Sequence, residues 1–216
     1  MAGDEEVDAY NDEAWKATFS GIDESFINRV LSLGVDKGLV LDVGCGPGQI
    51  PIKLVKRNPN LKIFGIDLSE GMLLKAAQLS FNEHLEEKLV FQTGNAEDIP
   101  FDDNSFDMVL CNSLMHHASD PVKVLNEIDR VCKPEGTVLI RDLRRPPFFI
   151  ELFISYNGRH YKGLLKKLYE DSVRAAYSKK ELCSILEQSG LGRASIFTHG
   201  ITHIGIERPY LLYRAK

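Results

Sequence analysis

The sequence predicts an α/β fold: a doubly wound, mainly parallel sheet of seven strands with helices on both faces. Three observations carry that expectation. Short apolar or β-branched runs recur at 39–43, 61–67, 88–92, 106–111 and 137–141, with stretches of helical periodicity between them. Such runs suit parallel strands buried on both faces. Gly44, Gly46 and Gly48 follow the first run, as a tight strand-to-helix turn requires. The last two runs, 193–198 and about 203–213, have only a short connection, so they can pair as an antiparallel hairpin at the sheet edge.

Each element has a local reason. Residues 1–9 are expected to fray. Residues 10–33 read as two helical pieces broken near Ser20-Gly21, with Ile22, Phe26, Val30 and Leu33 at helical spacing. Pro47 sits where the helix after the first strand should begin, and Asn58-Pro59-Asn60 ends that helix. Ser69 is an N-cap for the helix through Ala76 and Ala77. Asp120 and Pro121 are N-cap and first residue of a helix to Val131, ended by Lys133-Pro134-Glu135-Gly136. Residues 146–177, rich in aromatics (Phe148, Phe149, Phe153, Tyr156, Tyr161, Tyr169, Tyr177), read as a helical insertion covering the crevice, with Lys162, Lys166 and Lys167 on its solvated face. Ser178-Lys179-Lys180-Glu181 is a capping box for the last helix.

Ligand binding is expected at the carboxyl end of the first strand, the usual crevice of open α/β sheets. The helix behind the glycine turn offers unpaired N–H groups and a positive dipole end to an anionic group. The spacing is D-x-G-x-G-x-G from Asp42. A dinucleotide fingerprint would need its third glycine at position 49, which is Gln49. Asp67 ends the second strand 23 residues after Gly44, where a carboxylate can accept hydrogen bonds from both ribose hydroxyls.

Asp42 with the glycine turn, Asp67, the run Gly94–Phe101 and the run DNSFDMVLCN resemble the class I S-adenosylmethionine-dependent methyltransferases. The resemblance covers about 40–136. It implies a Rossmann-like fold, S-adenosyl-L-methionine as cofactor and one methyltransferase domain over 1–216. It further implies that the turn Gly44, Cys45, Gly46, Gly48 wraps the amino-acid part of the cofactor, with Asp42 near its ammonium group. Leu68 and Met72 would flank the adenine. Asn95, where the family usually has Asp, would accept from the adenine amino group, and Ala96 would offer its backbone N–H. Asn112 would meet the methionine end. The N-terminal segment, with Tyr10 and Trp15, would fold over the cofactor or pack on the sheet. Glu135 replaces one of two glycines common in the family.

Composition narrows the rest. A hydrophobic fraction of 44% and a charged fraction of 26% are those of a soluble globular chain. The net charge of −5 offers no overall attraction to nucleic acid or an anionic membrane, and no apolar run approaches the roughly 20 residues of a membrane span. The acidic start lacks the apolar core of a secretory signal. Cys45, Cys111, Cys132 and Cys183 form no C-x-x-C pair, which suggests neither zinc nor redox chemistry; Cys132 and Cys183 are expected on helices. These observations point to a cytoplasmic protein with no nucleic-acid or membrane partner. The oligomeric state is not legible.

Methyl transfer from a sulfonium is an in-line displacement in which the protein supplies placement and a dry site. A general base is needed only if the acceptor carries a proton. His116 and His117, after the fourth strand, are the catalytic candidates; His160 with Tyr156 and Tyr161 is a second set, and His84, His199 and His203 look peripheral. Arg144 and Arg145 could fork onto a carboxylate or phosphate, or one could pair with Asp142. The fourth strand is followed by Asn112-Ser113-Leu114 rather than the Asn/Asp-Pro-Pro-Tyr type motif of nucleobase methylation, so a small-molecule acceptor is favoured. The competing expectations are a cofactor-binding protein without transferase activity and, more distantly, a nucleotide-dependent oxidoreductase.

Overall fold

The computed structural model describes residues 24–146 and 149–210. Tyr10, Trp15, Ile22, Phe148 and the end of the last expected strand lie outside the described residues, as do the side chains of Phe153 and His160.

The chain begins with a helix over 24–32, here α1. There follow β1 (Gly38–Val43), α2 (Gln49–Arg57), β2 (Leu61–Asp67), α3 (Glu70–Asn82), β3 (Leu89–Thr93) and β4 (Phe106–Asn112). A single 3-10 turn (Met115–His117) leads into α4 (Pro121–Val131) and β5 (Cys132–Leu143). The insertion is α5 (Ile150–Asn157), a short 3-10 turn and α6 (Gly163–Ala175). Then come α7 (Lys179–Gln188), β6 (Ser195–His199) and β7 (His203–Arg208).

The seven strands form one sheet of order β3-β2-β1-β4-β5-β7-β6. β1 to β5 run parallel. β7 runs against both β5 and β6, so the hairpin makes the edge and β6 closes it. Strand order reverses between β1 and β4, which opens the crevice at their carboxyl ends.

Alternation along the central strands sorts side chains to two cores. Val40, Met108, Leu110 and Leu139 meet Phe26, Ile27, Val30 and Leu33 of the N-terminal segment and Ile52, Leu54 and Val55 of α2. Leu41, Val43, Val109, Cys111, Val138 and Ile140 meet Val124, Leu125, Ile128 and Val131 of α4 and Leu182 of α7. Each such fully buried side chain contributes roughly 1.5–3 kcal/mol, so both faces hold the crevice edge rigid.

The caps at Ser69, Asp120 and Ser178 form as expected; the last is a complete capping box with Glu181. Two local expectations are corrected. α2 starts at Gln49, after a left-handed Gly48, so Pro47 belongs to the preceding turn. Pro51 occupies the first helical turn instead, where a missing N–H costs nothing. Cys132 begins β5 rather than sitting within a helix, and the strand accommodates 132–136 through a register shift opposite Phe106–Met108. Among the described residues, no helix is long and apolar enough to cross a membrane.

Candidate active site

The turn after β1 is held by its own backbone. Gly44 and Cys45 N–H both donate to the Ile66 carbonyl (2.8 and 3.0 Å), and Gly48 N–H to the Cys45 carbonyl (3.1 Å). All three glycines have positive φ, but their surroundings differ. A Cβ on Gly44 would stand 2.2 Å from Leu114 Cδ1, so this glycine lets the loop after β4 close over the turn. A Cβ on Gly48 would meet Ala76 Cβ at 2.9 Å and the Phe91 ring at 3.0 Å. Gly48 therefore answers to packing of α2 against α3 and β3, not to close approach of a ligand. The Cβ position of Gly46 faces open space. Asp42 and Cys45 are buried beneath. Burial, then Asp42 and Asp67, pushes the Cys45 thiol well up, which leaves it a packing group rather than a nucleophile.

Asp67 joins this turn to the next. Its Oδ2 accepts from Gly46 N–H and its Oδ1 from Ser69 N–H, both at 2.9 Å. Each carboxylate oxygen keeps a second acceptor site. Leu68 is 54% exposed beside it, whereas Met72 is buried, with its N–H bound to Ser69 Oγ at 3.3 Å. One strand further out, Asn95 is exposed and its Oδ1 accepts from Glu97 N–H (2.9 Å); Ala96 is buried. Glu97 in turn accepts from the N–H groups of Ser119 and Asp120 (2.8 and 3.0 Å). That ties the loop after β3 to the start of α4, a bond with no sequence signature.

Beyond the switch point the construction changes from backbone to side chains. Asn112 Oδ1 accepts from Arg141 Nε at 2.9 Å. Arg141 is 1% exposed, lies over the Phe26 ring and donates to Ser25 Oγ. His116 is buried, and its Nδ1 lies 2.5 Å from Asp142 Oδ1. The other carboxylate oxygen accepts the His116 backbone N–H at 3.0 Å, and Leu143 N–H donates to Oδ1. Tyr177, at the end of the insertion, donates its hydroxyl to the Met115 carbonyl (3.1 Å). α6 also packs on this turn. His117 keeps an exposed edge and leans on His116 with ring centroids 4.0 Å apart. Loss of water around its ring, and then the charge of His116, lower its pKa to about 4.

Sequence reasoning did not find the His116–Asp142 pair. It set Asp142 against the neighbouring arginines, but Arg145 pairs with Glu181 and Arg144 binds the Thr202 carbonyl through its backbone. A carboxylate ending β5 as Asp67 ends β2 was the available signal. His203 is corrected too: it is 5% exposed, opposite Leu143. Burial, then Arg141 and His199, lower its pKa to about 4. His84 is exposed, as expected. Cys45, Cys111, Cys132 and Cys183 are free, and no three His, Cys, Asp or Glu among the described residues could hold a metal.

Residues 35–190 match the family described as Methyltransferase domain. The chain is 32% identical over 194 residues to the demethylmenaquinone methyltransferase of Bacillus licheniformis, covering 82% of each protein. It is 37% identical over 108 residues to an uncharacterized methyltransferase of Schizosaccharomyces pombe, spanning 48% of this chain and only 39% of that one. In fold it resembles a SAM dependent methyltransferase from Aquifex aeolicus, with TM-score 0.70, 24% identity and coverage of 96% and 98%. An open glycine turn leading to a strand-end carboxylate, on this sheet and in this company, has one reading: the chain belongs to the methyltransferase domain family, in its class I S-adenosylmethionine-dependent form.

Proposed function

We propose that the protein, as a single domain over 1–216, transfers a methyl group from S-adenosylmethionine to a small-molecule acceptor by in-line displacement. The observation that carries this is the run of ligand-competent groups along the carboxyl ends of β1, β2 and β3. Open space over Gly46, the half-exposed Asp67 carboxylate, exposed Leu68 and exposed Asn95 stand on neighbouring strands. These residues fit an extended nucleoside. The turn at Gly44, Cys45 and Gly46, over buried Asp42, holds the amino-acid portion, with Gly48 securing the helix behind it. Asp67 accepts from the ribose hydroxyls. Leu68 and the segment at Met72 flank the base, with Asn95 and Ala96 at its rim. Asn112, its oxygen already bound to Arg141, keeps its amide N–H groups for the methionine end.

When bound, S-adenosylmethionine supplies an electrophilic methyl group on a positively charged sulfur. The protein's part is to align the acceptor, exclude water and, for an acceptor that carries a proton, remove it. His116 and His117 stand at the acceptor end for that task. A small acceptor is supported by α6, which packs on the turn after β4, by the absence of a nucleobase motif after β4, and by the B. licheniformis relative, which is named a demethylmenaquinone methyltransferase. The free cysteines support a reducing compartment such as the cytoplasm.

Titration calorimetry with S-adenosylmethionine tests the cofactor assignment. Asp67→Ala is expected to weaken binding at least tenfold, about 1.4 kcal/mol; equal affinity would remove Asp67 from the ribose. Label transfer from the methyl-labelled cofactor into a metabolite extract separates an enzyme from a binding protein, since an unlabelled extract favours the latter.

A further inference from the structure

We propose that His116 is the base of this site, held in one tautomer by Asp142 as a positioning residue, and that the acceptor is therefore a hydroxyl compound. The inference rests on the methyltransferase reading above and deepens it. Asp142 collects three donors on two oxygens: the backbone N–H of His116, the backbone N–H of Leu143 and His116 Nδ1. Backbone N–H groups can only donate, so the carboxylate is committed as an acceptor and Nδ1 carries the ring proton. The lone pair then lies on Nε2. That atom is buried and, among the described residues, has no hydrogen-bond partner. A buried acceptor without a donor is an exception that calls for a reason, and a substrate hydroxyl is the missing donor. The ring sits directly after β4, two residues from Leu114, which closes on Gly44 of the cofactor turn.

His117 is not equivalent. Its pKa of about 4 makes it a poor proton acceptor from a hydroxyl. Other titratable groups around the pair are Tyr177, whose hydroxyl binds the Met115 carbonyl, Cys111 at the end of β4, Asp42 on β1 and His203 on β7. Burial raises the Tyr177 phenol, with Asp142 adding to it, and raises the Cys111 thiol likewise. Both stay protonated and do not compete with Nε2 for the role of base.

The step balances as follows. The acceptor's O–H bond breaks and its proton bonds to Nε2, forming an imidazolium that faces the Asp142 carboxylate. The electron pair left on oxygen makes the new O–C bond to the methyl, while the C–S bond breaks with its pair remaining on sulfur. A thiolate or a free amine would not need this base, and a carbon acceptor has no N–H or O–H to satisfy the unpartnered Nε2, which is why the dyad selects a hydroxyl.

Long-range proton–nitrogen NMR of the full-length protein reads the tautomer without any acceptor. His116 should show its proton on Nδ1 at pH 7, and Asp142→Asn should lose that lock. A wild-type His116 protonated on Nε2 would overturn the proposal, and this measurement needs no variant to fold. Methyl transfer to a panel of simple phenols supplies the second readout. His116→Ala should bind S-adenosylmethionine as the wild type does, yet transfer methyl at least 100-fold more slowly at pH 7. The deficit should shrink at pH 10, where the phenol ionises unaided. A deficit independent of pH would mean a merely structural histidine and sink the idea. Failure of the wild type to bind the cofactor would instead strike the methyltransferase reading.

Discussion

The two halves of the crevice are built on different plans. On the β1–β3 side, backbone groups and one short carboxylate hold the crevice wall: Gly44, Cys45 and Gly48 N–H groups close the turn, and Asp67 clamps Gly46 to Ser69. On the β4–β5 side, side chains from distant segments form buried or half-buried pairs: His116 with Asp142, Asn112 with Arg141, and Tyr177 with the Met115 carbonyl. The lesson is physical. A cofactor of constant shape can be held by backbone whose geometry needs glycine and little else. An acceptor site is set by side-chain chemistry, and burying that chemistry requires partners from across the fold.

The contrast can be attacked where the halves touch. Gly44→Val forces a β-branched residue to positive φ and against Leu114; the expected loss is about 4 kcal/mol of stability from strain and overpacking. Urea unfolding measures it. Adding Leu114→Ala should return part of that loss if the halves meet through this contact, and strict additivity would show that they do not.

Acid should weaken the side-chain half. The folded pKa of His203, about 4, lies below the ordinary value of 6.5. Below pH 6.5 the unfolded chain therefore takes up a proton that the folded chain refuses. Stability falls as pH drops from 6.5 to about 4, by about 3 kcal/mol across that window. Denaturation at pH 7 and pH 4.5 should show His203→Gln less acid-sensitive than the wild type; identical slopes would refute the assignment.

Within the backbone half, Asp67→Asn should cost less cofactor affinity than the tenfold expected for Asp67→Ala, because an amide retains one acceptor. Equal losses in calorimetry would mean that charge, not acceptor geometry, dominates there. The smallest effect lies outside both halves. Ser178→Ala removes half of the capping box of α7 and should lower stability by about 1 kcal/mol, with cofactor affinity unmoved.

The legible part of the site follows the same division. Asp42, the glycine turn, Asp67 and Asn95 each sit at the end of a strand, so a pattern within a few residues announced them. Asp142 and Arg141 also end a strand, yet their partners lie far off in sequence: His116 is 26 residues from Asp142, and Ser25 is 116 from Arg141. No local rule predicts such pairs. Gly48 shows the reverse error, for a glycine inside the motif turned out to serve helix packing. His203 looked peripheral because nothing nearby in sequence reveals that β7 inserts beside β5.

By itself the sequence determined the strands, the helix caps, the parallel core and the glycine turn at the crevice, because each depends on apolar periodicity and on backbone conformations that only certain residues adopt. Tertiary structure alone decided which histidine is locked, by which acid, and how the loop after β4 covers the turn. Those outcomes depend on burial, and burial is a property of neighbours that only the folded chain brings together.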